Sequence, residues 1–434
     1  MKAKALLLFV SFACAPTVCV FGQIDCSTST KLVCELPITS ANLTPVGTSQ
    51  ASLAAQDASS SINASIGTQL TQLPIPSAAV GVVSLRAKGS EIGVPFENLG
   101  PILTDRPDTV GRGRLFAGFS YQHFNFNAID GVGLGTLPVG YTFSQTTNNG
   151  DVQTYYGSIS NKIGFSLNQY VGILTYGVTR TTDVSVVVPF SQVTLGVIAS
   201  NFQTYLYDSR SSQYINESLP AGTAIKTAGT ATGVGDVTIN VKQMIHGIEG
   251  SRAAVAVGGV LRIPSGDSLN YLGSGAYGAN AYGLFSYRAR ISPHLKLAYQ
   301  WNGVSPLVNV LTATKNHLPG GLQYAGGADI RVFRPLTFAV DLLGSQFVNT
   351  PSLTNTPLVL APAPASGSGV PTSLPAVASS KNTYTTANIS TGLKWSPIPH
   401  LLLYGNVLIQ INDVGLKSDP VPLVGIAYNF KTRH

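Results

Sequence analysis

Charge is scarce in this chain, so an ionisable residue inside a patterned segment carries weight. Asp, Glu, Lys and Arg make up 10% of 434 residues, against roughly 25% in an ordinary soluble protein. Asp236, Lys242, Arg262, Arg288, Lys296, Asp329, Arg331, Asp341 and Lys394 each fall on the polar parity of an alternating segment. Six are cationic and three anionic. Such a set can do one of two things. Facing a lumen, it sets pore electrostatics and biases the pore toward anions or neutral solutes. Paired across neighbouring strands, it forms an interior ion-pair network. Loss of one partner then costs stability rather than selectivity.

Other chemistry is thin. The six histidines (His123, His246, His294, His317, His400 and His434) show no metal-ligand spacing. His294 and Ser286 share one predicted face, but no motif joins them to an orienting group. GSGAYG at 273–278 matches G-x-G-x-x-G formally. A dinucleotide site needs a buried strand before it, a helix after it and an acid about twenty residues on. The sequence offers a loop running into a strand instead. No enzyme, metal site or cofactor is implied. The net charge of +7 is dispersed, without Lys or Arg runs, which gives nucleic acid no footprint.

The first residues read MKAKALLLFVSFACAPTVCVFG. Lys2 and Lys4 form a basic start, Ala5 to Val20 an apolar core, and Val20 and Gly22 occupy the −3 and −1 sites. Residues 1–22 are therefore expected to be a cleaved signal peptide, leaving a net charge near +5 (7 − 2). Of the remaining cysteines, Cys26 and Cys34 form an even pair in an exported chain, and a disulfide is expected. A loop this short contributes roughly 2–3 kcal/mol.

The elements that position these charges are strands. DVTINVKQM places Asp236, Thr238, Asn240 and Lys242 on one parity, and Val237, Ile239 and Val241 on the other. HLKLAYQWN repeats the pattern, with His294, Lys296, Gln300 and Asn302 opposite Leu295, Leu297, Tyr299 and Trp301. Strands are predicted near 114–126, 152–167, 182–198, 235–246, 252–263, 277–290, 294–303, 320–333, 335–348, 383–396, 399–412 and 419–430. Their connections alternate long and short, with an intermediate gap at 168–181. No stretch after Gln23 holds 18 continuous apolar residues, so a membrane helix is not expected. Sorted connections and an even strand number describe an all-β, transmembrane, antiparallel up-and-down β-barrel of about twelve strands over 114–430. The apolar parity then faces lipid and the polar parity a lumen. Trp301, Tyr299, Trp395, Tyr404 and Tyr428 are candidates for interfacial belts.

Several stretches resemble a known family of outer-membrane transporter-like barrels. They are GPILTDRPDTVGRGRLFAGFSYQHFNFNAIDG (100–131), GVGDVTINVKQ (233–243), LRIPSGDSLNYLGSGA (261–276), SPHLKLAYQWNG (292–303), GGLQYAGGADI (320–330) and LTFAVDLLG (336–344). The family is named for the MetA pathway of phenol degradation and is broadly similar to long-chain fatty-acid channels. The resemblance implies an outer-membrane channel of a Gram-negative-type bacterium, with outer-membrane lipid and a small hydrophobic or aromatic solute as partners. The final strand, LVGIAYNF, is similar to the signal read by the barrel-assembly machinery, although Lys431 to His434 follow Phe430. The alternative from another class is a structural or surface-interaction barrel with a closed lumen.

Residues 23–113 stand apart. Ile62, Ile66, Leu70 and Leu73 space out a weakly amphipathic helix, ended by Pro74 and Pro76. A twelve-stranded barrel encloses more room than its own side chains fill. This segment, especially 75–110, is therefore expected either to plug the lumen or to remain a periplasmic tail. The Pro-, Ala- and Ser-rich interval 349–382 is expected to be an extended extracellular loop.

Overall fold

A computed structural model describes residues 26, 29–42, 49–71, 73–74, 86–87, 90–94, 99, 101–247, 251–308, 316–333, 335–398 and 400–431. The signal-peptide expectation for 1–22, and most of 75–98, lie outside them.

Twelve strands close a ring. They are β1 Arg114–Ile129, β2 Val152–Gly177, β3 Thr182–Asp208, β4 Val237–His246, β5 Ala253–Ile263, β6 Gly278–Tyr287, β7 Ile291–Asn302, β8 Gly321–Phe333, β9 Leu336–Asn355, β10 Val377–Trp395, β11 Leu401–Gln410 and β12 Val421–Lys431. Each pairs antiparallel with its neighbours in sequence. The circle closes where β12 meets β1, with Ile426 opposite Phe119. The protein is thus an antiparallel up-and-down β-barrel, built as the alternation predicts.

The two parities separate as a membrane requires. On β7, Leu295, Leu297, Tyr299 and Trp301 point outward, and Leu297 is 50% exposed. On β4, Val241 is 45% exposed while Asn240 and Lys242 are buried. A contiguous apolar outer band would be an aggregation surface in water; in a bilayer it is the lipid-facing wall. Aromatic side chains mark its limits, with Tyr299 and Trp301 near the long-loop rim and Trp395, Tyr428 and Phe430 near the short-turn rim. Tyr404 departs from the belt expectation. It faces inward, buried, and its ring covers the space that a side chain at Gly425 would need.

Several connections are more ordered than their composition suggests. β2 runs on to Gly177, so the intermediate gap shrinks to 178–181 and the long–short alternation becomes strict. Leu137–Thr146 pairs with the upper part of β2, and Ala224–Val234 with the middle of β3. The wall therefore rises well above the lipid band on that side. The expected 349–382 loop is corrected in the same way. β9 and β10 continue pairing through Asn355 and Val377. The remainder carries a small hairpin, Leu358–Val359 against Ser373–Leu374. Tyr156 and Ser158 donate to the carbonyls of Ala361 and Pro375, tying this connection across the mouth. These Thr- and Ser-rich strands lie outside hydrocarbon; the outer face meets water and the inner face mixes polar residues with a few apolar ones such as Leu137, Val139 and Leu353, so the alternation signal weakens.

Inside the ring, α1 (Glu35–Asn42) and α2 (Ser49–Leu70) pack at the long-loop end. The disulfide joins Cys26 to Cys34, with Cα atoms 5.2 Å apart. α2 has few charges and several serines that bond back to carbonyls one turn earlier, such as Ser59 Oγ to Ala55 O at 2.8 Å, a weak helix-former's pattern. Burial stabilises it instead: Ile62 and Ile66 join one cluster with Leu32, which precedes α1, and with Phe124, Phe126, Phe165 and Leu167 from the wall.

Candidate functional site

The segment leading into β1 reads GPILTDRPDTVGR, and its chemistry determines its path. Pro101 and Pro107 remove two amide donors and prevent a helix. The carbonyls along such a strand-free path must find other donors. Two lysines from the wall supply them. Lys394 Nζ donates to Leu99 O at 3.3 Å and also to Pro101 O. Lys242 Nζ donates to Arg106 O at 3.1 Å and Asp108 O at 2.6 Å. The wall also accepts: Leu99 N–H donates to Thr337 Oγ1 at 2.9 Å, and Val110 N–H to Asp183 Oδ2 at 2.9 Å.

The side chains of this segment alternate in charge and meet their opposites. Asp105 pairs with Lys296 at 2.8 Å, Arg106 with Asp329 at 2.9 Å, and Asp108 with Arg288 at 2.6 Å. Arg288 also donates through Nη1 to Gly247 O and Ser251 O, at 2.8 and 2.9 Å, which fixes its fork. His294 lies below, with Nε2 2.5 Å from Asp341 Oδ1 and Nδ1 3.3 Å from Asp329 Oδ2. The result is a band of buried, complementary charge across the barrel near its short-turn end.

The sequence-derived charges therefore separate into groups. Lys242, Arg288, Lys296, Asp329 and Lys394 all contact residues 99–110. Asp341 reaches them through His294 and Asp329. Asp236 and Arg262 lie elsewhere: Arg262 Nε is 3.6 Å from Asp236 Oδ2, and Asp236 also accepts from Gly266 N and Ser274 N at 3.2 and 2.8 Å. That pair fastens the 264–277 loop at the opposite rim. Arg331 shares the inward parity, half-buried, with no ion pair among the described residues. Sequence reasoning missed Asp105, Arg106, Asp108 and Asp183. A signal existed: the inward set held three more cations than anions, and acids had to come from elsewhere.

The nucleophile reading of Ser286 fails on geometry. Ser286 and His294 are direct cross-strand partners, but both imidazole nitrogens face carboxylates. The Ser286 hydroxyl makes no hydrogen bond to the ring. GSGAYG leads into β6, a strand rather than a helix, and its Ser274 is spent on Asp236. Among the described residues, no group of three His, Cys, Asp or Glu side chains could hold a metal ion.

A second cluster sits at the long-loop rim. The Asp130 carboxylate accepts from Leu353 N at 2.8 Å, Gly415 N at 2.9 Å and Gln69 Nε2 at 3.2 Å. Burial raises its pKa above the ordinary carboxylate value, and these donors offset part of that rise. One carboxylate thus ties α2 to three external connections. Asp267 has the opposite shift. Partial burial would raise it, but the Lys31 ammonium at 2.7 Å, Asn270 and the Leu269 amide outweigh that and lower it.

No protein-family model matches this sequence, and no curated protein matches it. Solved structures do resemble it. An outer-membrane channel from Pseudomonas putida F1 aligns with a TM-score of 0.41 and 11% identity, over 75% of this chain and 98% of that one. The CymD monoaromatic hydrocarbon channel gives 0.31 and 9%, over 75% and 90%. A Pseudomonas aeruginosa FadL homologue gives 0.28 and 9%, over 74% and 90%. Likeness at these values carries no weight for function, and the barrel assignment rests on the strand pairing of this chain.

Proposed function

We propose that this chain is an outer-membrane channel of a Gram-negative-type bacterium, closed at rest by residues 23–113, for passive uptake of small hydrophobic or aromatic compounds. The observation that carries this reading is the apolar lumen around α2. Phe124, Phe126, Phe165 and Leu167 turn inward and pack on Ile62 and Ile66. A channel for hydrophilic solutes has a polar interior; this upper lumen is greasy. Movement of the inserted segment would free an apolar cavity above the charged band. A solute would then cross by diffusion, without a cofactor or an energy source. Deleting 23–110 and recording single-channel conductance tests the closing role: conductance should rise, and an unchanged value overturns it. Liposome uptake of graded solutes tests the cargo, with small aromatics expected to enter ahead of sugars of equal size.

The second reading is a structural or surface-interaction barrel. It is favoured by the filled lumen and by the folded external connections. Liposomes that stay impermeable to every solute, with and without residues 23–110, would establish it in place of the channel.

A further inference from the structure

The outer face of the wall continues in ordered rows above the lipid band. Cross-strand register aligns Tyr121, Tyr170, Phe190 and Val234 in one row, all outward. Tyr121 and Tyr170 have ring centroids 5.1 Å apart, and this row is the upper aromatic belt. The next row is His123, Asn168, Gln192 and Thr232, laced by Asn168 to His123 at 2.8 Å and to Gln192 at 3.2 Å. Then come Ser166, Thr194 and Thr230, with the two threonine hydroxyls 3.2 Å apart. Above them lies a row of Gly164, Gly196 and Ala228. A Cβ built at either glycine would meet nothing closer than 3.8 Å, so the row is a shallow trough. Its upper edge is Lys162, Ile198 and Lys226.

Lys162 and Lys226 are both exposed, with no acidic partner among the described residues. Two strand spacings separate them, about 10 Å. Beside these rows, the Asp419 carboxylate accepts from Asn125 and Asn127. The lysine row stands eight residues above Phe190 on β3, about 27 Å along the strand. At a usual barrel tilt that is about 20 Å above the belt. A phospholipid headgroup layer is only about 5–7 Å deep and does not reach it. A larger, sugar-built headgroup does.

We propose that this outward face is a docking surface for the phosphorylated sugar headgroup of an outer-leaflet glycolipid. Lys162 and Lys226 take phosphate, the Gly164–Gly196 trough seats a sugar ring, and the Thr, Ser and amide rows below meet its hydroxyls. The face is continuous with the lipid-facing band, and its charge is complementary to phosphate. The proposal rests on the outer-membrane reading above.

The test uses the full chain in detergent micelles, titrated with purified lipopolysaccharide and with the same material after dephosphorylation. Wild-type protein should bind the phosphorylated form at least about tenfold more tightly, the scale of losing charge-assisted hydrogen bonds. Lys162→Ala/Lys226→Ala should bind both forms alike and weakly. Lys162→Arg/Lys226→Arg should retain discrimination. Gly196→Leu should weaken binding with both lysines present. Equal binding of the two forms by wild type, or full affinity in the double alanine variant, overturns the proposal. Insertion of each variant into vesicles, read separately, reports on the barrel itself: protein that stays soluble without detergent refutes the outer-membrane reading, while inserted protein without discrimination refutes only the docking surface.

Discussion

Arg106 places its Nη2 2.9 Å from the Asp329 carboxylate, inside a barrel wall that leaves both side chains almost fully buried. The pair links the segment before the first strand to the eighth strand. Because His294 faces the same carboxylate, Asp329 is shared between the wall and the inserted segment.

The first prediction follows from that sharing. Arg106→Ala leaves a buried carboxylate short of its main partner, a loss of about 3–5 kcal/mol for a broken buried pair. Much of this should fall on the attachment of 99–110 rather than on the ring, whose backbone ladder is closed. Reversing the pair, Arg106→Asp with Asp329→Arg, should recover less than half, since His294 then faces a cation. Protease sensitivity within 99–113 measures the attachment, and thermal unfolding measures the ring. If both variants behave as wild type, the charged band does not hold the segment.

The ring was legible in the sequence, and the reason is physical. Lipid on one side and packed polar groups on the other force a period of two, and HLKLAYQWN carries it over nine residues. The closing charges were half legible. Lys242, Lys296 and Lys394 stood out because a cation on a polar strand face is rare in so uncharged a chain. Their partners Asp105 and Asp108 did not, because Pro101 and Pro107 erase any period that would assign them a direction. Outside the bilayer the period fails again. Leu137–Thr146 and Ala224–Val234 pair as strands with water on one face and weakly apolar packing on the other, so composition alone made them loops.

A second prediction concerns α2. Its alanines favour a helix, but Ser59, Ser60, Ser61, Asn63, Gly67 and Thr68 do not, and with little charge patterning the 22 residues hold together through tertiary burial. Ile66→Ala removes one knob from the cluster with Phe165 and Leu167, at about 2–5 kcal/mol. Backbone amides across 49–70 should exchange at least tenfold faster, while β6 and β7, which α2 does not brace, should keep their protection. Uniform loss of protection around the ring would show that α2 is part of the barrel's folding core rather than an insert.

The last prediction is a pair of opposite pH slopes at the long-loop rim. Burial raises the Asp130 carboxyl above its ordinary value. Its stabilising contribution is therefore complete below the ordinary carboxylate range and is lost as pH rises through its raised folded value. Asp267, lowered because Lys31, Asn270 and the Leu269 amide outweigh partial burial, runs the other way. Its contribution is present above the ordinary range and fades as pH falls through the lowered value; its exposure keeps the effect small. Acidification from pH 7 to 4 should thus favour the Asp130 junction relative to Asp130→Asn, and the Asp267 junction should lose ground against Asp267→Asn only below pH 4. Exchange rates of the Leu353 and Gly415 amides read the first, and those of Leu269 the second. Slopes of the same sign at both sites would mean that the carboxylates do not control their loops, and that the rim responds to net charge alone.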